Sequence, residues 1–517
     1  MNTVNGQDTT APAAISLRGI TKRFGQVWAN RDVNLDIAKG TIHGIVGENG
    51  AGKSTLMSIL YGFYHADQGE IRVNGNPCPI HSSEDAIEAG IGMVHQHFML
   101  VDNFTVLENV VLGAEGGFTL SEGIAKARDE LERLERDYSL NVPLDELIEN
   151  LAVGLQQRVE ILKALFRGAD ILILDEPTGV LTPAEADHLF RILRQLKDQG
   201  KTIILVTHKL REIMAVTDAV SVMRQGELVA TRKTAETSPE ALAELMVGRR
   251  VLLSVEKSAS EPGRKVLELA NLTVTDNAGV TRVDDVGFSV RAGEIVGIAG
   301  VAGNGQSELI EALTGLRPLQ NGMVSINGKE VGNASKPVSN IRGLGMAHVP
   351  EDRHRMGLVT SFDAAENIIL GYQDEEKYQS GWLLNRPAIL EDAGAKMEHF
   401  DVRPRNPNLK TSLFSGGNQQ KLVLAREIEH DPDLLIVGQP TRGVDIGAIE
   451  FIHRRIIEMR DAGKAVLLIS VELDEIRALS DRVLVMFAGK IVGERPPETP
   501  EAELGLLMAG IQDGKAA

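Results

Sequence analysis

Nine consecutive residues, Gly47 to Thr55, have the types and spacing of a phosphate-binding loop. They fit the pattern G-x-x-x-x-G-K-[ST], in which glycines let successive backbone N–H groups turn toward phosphate oxygens. Lys53 would place a positive charge beside the β- and γ-phosphates, and the Ser54 hydroxyl is placed to bind Mg²⁺. The predicted nucleotide-binding residues of this loop are Gly47, Asn49, Gly50, Ala51, Gly52, Lys53, Ser54 and Thr55.

The flanking residues predict the strand and the helix that such a loop requires. The stretch from Ile42 to Val46 indicates a buried strand that enters the loop. Leu56, Ile59 and Leu60 follow at helical spacing. The alternative, a glycine-rich turn with an incidental lysine, does not explain why every position of the pattern is filled in this context.

A second candidate group is a pair of carboxylates at the end of an apolar run. Ile171 to Leu174 predict a buried strand, and Asp175 and Glu176 follow at once. Asp175 would hold Mg²⁺ directly or through water, and Glu176 would orient or deprotonate the attacking water. The alternative is a strand end with two solvated acids.

Three further side chains could contribute to the same site. Gln96, at the polar tip of a strand predicted over 91–98, could reach the metal or the water, or could be a strand-end hydrogen bonder. His208 follows a strand predicted over 202–206 and could hold the water or sense the γ-phosphate; the alternative is a structural histidine. Phe24, on a predicted loop, could stack on adenine or anchor a local core.

Composition restricts the classes of function. The 72 acidic and 54 basic residues give a formal charge of -18, which disfavours wrapping of a nucleic acid. Cys78 is the only cysteine, so a reducing compartment is the simplest interpretation. Residues 1–14 predict a disordered tail without the features of a secretory signal. No apolar run approaches the roughly 18 residues that span a bilayer, so a partner would supply any membrane part.

The pattern begins again at Leu267, so the chain contains an internal repeat. Gly300 to Ser307 repeats the phosphate loop, with Gln306 at the position of Lys53 (306 − 53 = 253). We predict a first domain at 15–250 and a second at 265–512. A linker at 251–264, which contains Ser, Pro and Gly, would join them, and residues 513–517 would form a tail.

The second copy differs at each position to which the first copy assigns chemistry. Gly438 and Gln439 replace the acid pair, and Val471 replaces the histidine (438 − 175 = 263; 471 − 208 = 263). Glu351 stands at the position of the glutamine, and Gln306 cannot supply the lysine charge. We therefore predict that the second copy holds a nucleotide weakly and cannot hydrolyse it. The residues of this degenerate second site are Gly300, Gly303, Gly305, Gln306, Ser307, Glu351, Gly438, Gln439 and Val471.

One turn shows the opposite asymmetry between the copies. Ser415, Gly416 and Gly417 precede a predicted helix in the second copy, whereas the first copy has Ala152 to Gly154 and lacks the hydroxyl. A serine hydroxyl and free amides at a helix N-terminus are what a γ-phosphate from another domain would need. Ser415, Gly416 and Gly417 are therefore predicted to bind nucleotide.

At these motifs the chain resembles the nucleotide-binding subunits of ABC transporters, as a tandem pair over almost its whole length. Their signature sequence, LSGGQ in the consensus, is similar to Phe414 to Asn418 and poorly matched by Leu151 to Leu155. The other motifs of the family match Gly47 to Thr55, Gln96, Leu174 to Glu176, and His208.

The resemblance implies an α/β fold of two tandem P-loop NTPase cassettes, each with a mixed sheet core, an antiparallel β part and a helical subdomain. It also implies that two cassettes close head to tail on ATP and Mg²⁺, with each phosphate loop facing the other cassette's signature. Lys53, Ser54, Gln96, Asp175, Glu176 and His208 would then face Ser415, Gly416 and Gly417 in one complete site. The other site would be degenerate in both halves.

Tandem chains of this kind resemble the importer subunits for simple sugars and nucleosides. Two short segments resemble the nucleoside-type branch more than the ribose or galactose branch. They are Val94 to Leu100 and Gln439 to Gly443. The implied solute is a purine nucleoside or a simple sugar. The implied partners are two membrane permease subunits and, indirectly, an extracytoplasmic solute-binding protein, with the chain peripheral at the cytoplasmic face of the inner membrane.

Two other functions compete with transport. A soluble translation-associated ATPase of the same superfamily would have a long basic linker and two intact sites, whereas this linker is short and the net charge is -18. An ATP-binding regulatory module without turnover would not need Asp175, Glu176 and His208 together. The sequence does not identify the solute, because the solute is not expected to touch this chain.

Overall fold

The computed structural model describes residues 13–95, 98–114, 120–138, 140–179, 181, 183–250, 257–259, 261–276, 278–301, 303–331, 341–512 and 515–516. The chain divides into two compact units, Met1–Val251 and Leu252–Ala517. Among the described residues, no helix combines the length and the apolar character that a membrane span requires.

The first unit contains two sheets. Its strands are β1 (Ala13–Phe24), β2 (Val27–Ala38), β3 (Ile42–Val46), β4 (Gln68–Val73), β5 (Asn76–Pro77), β6 (Ile91–Val94), β7 (Ile171–Asp175), β8 (Thr202–Thr207), β9 (Ala219–Arg224) and β10 (Glu227–Lys233). An antiparallel sheet has the order β2-β1-β4-β5, and a six-stranded sheet has the order β10-β9-β3-β8-β7-β6. All strands of the second sheet are parallel except β10.

Strand order brings the predicted chemistry to one edge. Because β3, β8 and β7 are adjacent and parallel, the residues that follow their carboxyl ends lie side by side. Those residues are the phosphate loop, His208 and Glu176. The three strands are buried along their whole lengths, which matches their apolar sequences.

The helices of the first unit cover the six-stranded sheet and form a helical part. They are α1 (Lys53–Leu60), α2 (Ser83–Glu88), α3 (Val106–Val111), α4 (Leu120–Tyr138), α5 (Val153–Phe166), α6 (Pro183–Asp198), α7 (Leu210–Val216) and α8 (Pro239–Val247), with 3₁₀ turns at Ile148–Asn150 and Thr234–Glu236. Helices α3, α4 and α5 pack on one another. Helix α1 packs between the two sheets, where Leu56, Met57 and Leu60 are fully buried with Ile45 and Ile173. Each such side chain contributes about 1.5–3 kcal/mol to folding.

The second unit repeats the strand arrangement. Its strands are β11 (Lys265–Thr275), β12 (Thr281–Arg291), β13 (Ile295–Ala299), β14 (Asn321–Ile326), β15 (Lys329–Glu330), β16 (Met346–Val349), β17 (Gln379–Ser380), β18 (Leu383–Leu384), β19 (Leu434–Gly438), β20 (Ala465–Ser470), β21 (Arg482–Phe487), β22 (Lys490–Arg495), β23 (Ile511–Gln512) and β24 (Lys515–Ala516). The sheet orders β12-β11-β14-β15 and β22-β21-β13-β20-β19-β16 match those of the first unit, and β17-β18 and β23-β24 are additional hairpins. The strand starts reproduce the offsets of the repeat (295 − 42 = 253; 434 − 171 = 263; 465 − 202 = 263).

The helices of the second unit follow the same plan. They are α9 (Gln306–Leu313), α10 (Ala364–Ile368), α11 (Arg386–His399), α12 (Gly416–Ile428), α13 (Ile446–Asp461), α14 (Leu473–Leu479) and α15 (Glu501–Met508). Short turns lie at Arg353–Gly357 (π), Glu376–Tyr378 and Thr411–Leu413 (both 3₁₀). The predicted α/β fold with paired mixed and antiparallel sheets and a helical part is thus present in each unit.

Three details of the sequence prediction are wrong. Strand β1 begins at Ala13, two residues before the predicted start, because Ala13 pairs with Ala38. Phe24 is the last residue of this strand and pairs with Val27 across a tight turn, so it does not lie on a loop as predicted. The predicted C-terminal tail contains β24, which pairs with β23. The remainder of the predicted N-terminal tail and half of the predicted linker, residues 251–256 and 260, lie outside the described residues.

Candidate nucleotide-binding site

The phosphate loop of the first unit has a backbone that only glycine allows at key positions. Gly50 and Gly52 have φ values of +79° and +95°. A Cβ atom on Gly52 would lie 2.1 Å from the carbonyl oxygen of Ala29, and one on Gly47 would lie 2.4 Å from that of Met223. The loop is therefore a close-packed cradle of main-chain atoms, which suits phosphate binding.

The side chains of the loop differ in exposure. The Ala51 N–H donates to the carbonyl oxygen of Glu48 at 3.0 Å, which closes the turn. Lys53 is 5% exposed, and its Nζ donates to the carbonyl oxygens of Gly47 at 2.8 Å and Glu48 at 3.0 Å. Of the remaining predicted residues, Asn49, Gly50 and Ser54 are exposed, and Thr55 is half-buried. The lysine charge is thus held under the loop.

Asp175 and Ser54 meet at the base of the loop. The Ser54 hydroxyl and the Asp175 carboxylate share a hydrogen bond, while burial, the largest influence, raises the pKa of Asp175. Asp175 is 7% exposed, and no described residue donates a hydrogen bond to its Oδ1 atom. A buried carboxylate oxygen without a donor, beside a serine hydroxyl, fits the oxygen ligands that Mg²⁺ prefers.

Glu176 and His208 form the second contact at this edge. His208 Nδ1 lies 2.9 Å from Glu176 Oε1. This hydrogen bond is the largest influence on the pKa of Glu176, which it lowers. Glu176 has φ +49°, a left-handed conformation that is uncommon for a residue with a side chain. The turn separates the two neighbouring carboxylates: Asp175 meets the serine, and Glu176 meets the histidine.

Phe24 and Gln96 are the two remaining predicted residues of the first unit, and the structure describes only Phe24. Phe24 is 43% exposed, so it is not a core anchor; its ring makes an edge contact with Tyr64 at 5.2 Å between centroids. The stacking of Phe24 on a base stays a prediction. Gln96 lies outside the described residues.

The second unit keeps the loop backbone but not the lysine. Gly303 and Gly305 have φ values of +88° and +97°, and a Cβ atom on Gly305 would lie 2.1 Å from the carbonyl oxygen of Arg282. A Cβ atom on Gly300 would lie 2.9 Å from the carbonyl oxygen of Met486. The cradle is therefore preserved. Gln306, at the lysine position, is 4% exposed, and its Nε2 is 3.5 Å from the carbonyl oxygen of Ile298, a long contact.

The second unit also has a carboxylate beside its loop serine, which sequence comparison did not predict. Ser307 Oγ donates to Glu351 Oε2 at 2.6 Å. A Cβ atom on Gly438 would lie 2.6 Å from the Cγ atom of Glu351, so the glutamate side chain fills the space of a side chain at position 438. Burial, the largest influence, raises the pKa of Glu351, as it does for Asp175. The sequence names Ser307 and Glu351 as residues of the second site, and the structure adds the contact between them.

The turn after β19 retains the shape of its counterpart without the acid and base. Gln439 has φ +45°, close to the +49° of Glu176. The Gln439 Oε1 atom accepts a hydrogen bond from the Val471 N–H at 3.2 Å. The ends of β19 and β20 are therefore in contact, as the ends of β7 and β8 are in the first unit. Neither the Gln439 amide nor the Val471 N–H can exchange a proton with a substrate at neutral pH.

The signature-like turns differ as the sequence predicts. Ser415 is the N-cap of α12 and accepts hydrogen bonds from Asn418, whereas Ala152, the N-cap of α5, makes no side-chain cap. A Cβ atom on Gly416 would lie 2.6 Å from the guanidinium of Arg353 and one on Gly417 would lie 3.0 Å from the Ala448 Cβ. A Cβ atom on Gly416 would also lie 2.7 Å from the backbone carbonyl oxygen of Gly443, so only glycine fits at this position.

Comparison with known proteins identifies the family. The family model described as "ABC transporter" matches residues 30–179 and 283–442, which together are more than half of the chain. The chain belongs to the ABC transporter family. Its two matches lie in the two structural units, so each unit contains one cassette of this family.

Individual relatives of this ABC cassette pair are similar along almost the whole chain. The chain is 49% identical to a guanosine import ATP-binding protein of Bacillus subtilis, over 97% of this chain and 98% of that protein. It is 49% identical to a nucleoside import ATP-binding protein of Lactococcus lactis, over 96% of this chain and 98% of that protein. It is also 45% identical to a glucose import ATP-binding protein of Haloferax volcanii, over 97% of this chain and 96% of that protein.

Proposed function

We propose that the chain is the ATP-hydrolysing subunit of an importer for a purine nucleoside, with a simple sugar as the alternative solute. The observation that carries the ATPase assignment is the Glu176–His208 contact at 2.9 Å, at the sheet edge that also carries the phosphate loop. The full-length similarity to nucleoside import proteins supports the solute class.

In this proposal each of the predicted residues of the first cassette has a separate role in ATP binding or hydrolysis. The loop amides and Lys53 bind the phosphates, and Ser54 and Asp175 hold Mg²⁺. An ion held there would supply positive charge beside the phosphates. Glu176 is ionised because its pKa is lowered, so it can accept a proton from water, and His208 fixes the direction of its carboxylate. Gln96 is proposed to reach the metal or the water.

We propose that hydrolysis is confined to the residues of the first cassette. Gln439 and Val471 can make a hydrogen bond but cannot accept the proton of a water molecule. The cassettes are assigned to 15–250 and 265–512, joined by a linker at 251–264. The proposed partners are two permease subunits at the cytoplasmic face of the membrane, with an extracytoplasmic binding protein that delivers the solute to them.

Uptake measurements test this function. Cells that lack the gene for this chain but keep its permeases should regain ATP-dependent uptake of labelled guanosine when the parent chain is supplied. The matched control is Lys53→Ala, which should restore none. Competition with unlabelled guanosine or glucose identifies the solute class. Equal uptake with and without the parent chain, for both solutes, would contradict the transport assignment.

A further inference from the structure

We infer that the second cassette is a divalent-metal and nucleotide site in which Glu351 supplies the carboxylate that position 438 has lost. The inference goes beyond the proposed function, because it assigns a metal ligand to the cassette that carries no hydrolytic pair. It rests on the proposed function only in taking ATP as the nucleotide.

The first step is the correspondence between two contacts. In the first cassette the serine of the phosphate loop bonds the carboxylate at the end of β7, which is Asp175. In the second cassette the corresponding serine, Ser307, donates to Glu351 Oε2 at 2.6 Å. Each loop serine therefore has one carboxylate as its partner, although the two carboxylates come from different strands.

The second step is the space that the glutamate occupies. A Cβ atom on Gly438 would lie 2.6 Å from the Glu351 Cγ, 3.0 Å from the Ile310 Cδ1 and 3.1 Å from the Glu351 backbone nitrogen. The absence of a side chain at position 438 is what admits the glutamate. Position 438 has glycine where the first cassette has an acid, and position 351 has a carboxylate where the first cassette has an amide. The second difference thus compensates for the first.

The third step is that the phosphate cradle is intact. Gly303 and Gly305 keep positive φ values of +88° and +97°, and α9 begins at Gln306 as α1 begins at Lys53. The lysine charge is missing from this loop. A metal ion held by Ser307 and Glu351 would restore positive charge at the phosphates, which the neutral Gln306 does not provide.

A structural role is the competing explanation for Glu351. Arg442, Glu308 and Glu311 are the charged neighbours that influence its pKa, and the hydrogen bond to Ser307 could serve only to satisfy a half-buried acid. The two explanations differ in what happens when metal is added. A structural acid would leave metal binding unchanged on substitution, whereas a ligand would not.

The test counts the Mn²⁺ ions that stay with the purified full-length chain and ATP after gel filtration, by electron paramagnetic resonance of the ions released in acid. The parent chain should bind two Mn²⁺ per chain, Asp175→Asn should bind one, and Asp175→Asn with Glu351→Ala should bind none at the same concentrations. Loss of the ligand should weaken the second ion about 10- to 100-fold. The matched control adds Glu308→Gln to Asp175→Asn and should keep one ion.

Two further variants guard against misfolding. Ser307→Ala in the Asp175→Asn background should weaken the second Mn²⁺ while it leaves the Glu351 backbone untouched. Glu351→Ala with Gly438→Asp moves the carboxylate back to the strand end and should restore the ion. The inference is overturned if Asp175→Asn binds no Mn²⁺, or if Asp175→Asn with Glu351→Ala still binds one. Failure of guanosine uptake would contradict the transported solute but would leave these ion counts unchanged.

Discussion

Glu176→Gln is the substitution that separates chemistry from folding most cleanly in this chain. The second cassette already carries glutamine at the equivalent position, with φ +45° where Glu176 has φ +49°. Gln439 Oε1 accepts a hydrogen bond across the same gap, so a glutamine at 176 can still accept one from His208. We therefore expect the free energy of unfolding to change by no more than about 1 kcal/mol.

The rate should change far more than the stability. An amide cannot take a proton from water, and a positioned base is worth about 10²- to 10⁴-fold in rate. At about 1.36 kcal/mol per tenfold, this is about 2.7 to 5.4 kcal/mol in activation free energy. The assay is phosphate release by the chain with its permeases, beside ATP binding measured by titration, which should stay within about threefold of the parent.

The matched control for this experiment is Gln439→Asn, which keeps an amide and suits a left-handed backbone. It should leave phosphate release within about twofold of the parent, because no proton transfer is assigned to that position. The reasoning is refuted if Glu176→Gln hydrolyses ATP at close to the parent rate. It is equally refuted if Gln439→Asn reduces hydrolysis as much as Glu176→Gln does.

Three other predictions concern separate parts of the chain. Lys53→Ala should weaken ATP binding to the first cassette by roughly 10-fold or more in calorimetric titration, because charge-assisted contacts are lost, whereas Gln306→Ala should have a smaller effect on total binding. Ser415→Ala should reduce phosphate release and Ala152→Ser should not, if Ser415 completes the hydrolytic site; equal effects would contradict this. Burial lowers the pKa of His43 to about 4, so the folded state resists its protonation. The unfolded chain gains that proton first as the pH falls, so the contribution of His43 to stability should decline between pH 6.5 and 4, by on the order of 3 kcal/mol. Denaturant titrations should show a shallower decline for His43→Gln, and an unchanged slope would contradict the assignment.

The placement of Asp175, Glu176 and His208 at one sheet edge can be predicted from the sequence because its signals are local. Asp175, Glu176 and His208 each come directly after an apolar run, and parallel strands bring such positions to one edge. The left-handed turn at Glu176, which sends adjacent carboxylates to different partners, has no comparable signal. It depends on contacts between β7 and β8 that only the folded sheet creates.

The second site shows where prediction from single positions fails. The differences at Gly438 and Glu351 are both visible when the two copies are aligned. Taken separately, each difference suggests that the second copy has lost a functional side chain. Their compensation depends on a distance of 2.6 Å between atoms of two strands, which no local pattern encodes. The start of β1 at Ala13 is not predictable for a related reason, since it depends on the pairing of Ala13 with Ala38.

The packing of Glu351 against Gly438 has a consequence for how this chain can vary. A carboxylate cannot return to position 438 by one substitution, because its Cβ atom would meet the glutamate side chain before any ligand could bind. Replacement of Glu351 alone would leave Ser307 without its acceptor. The two positions are therefore epistatic: the route back to an arrangement like that of the first cassette passes through an intermediate that is worse than either end.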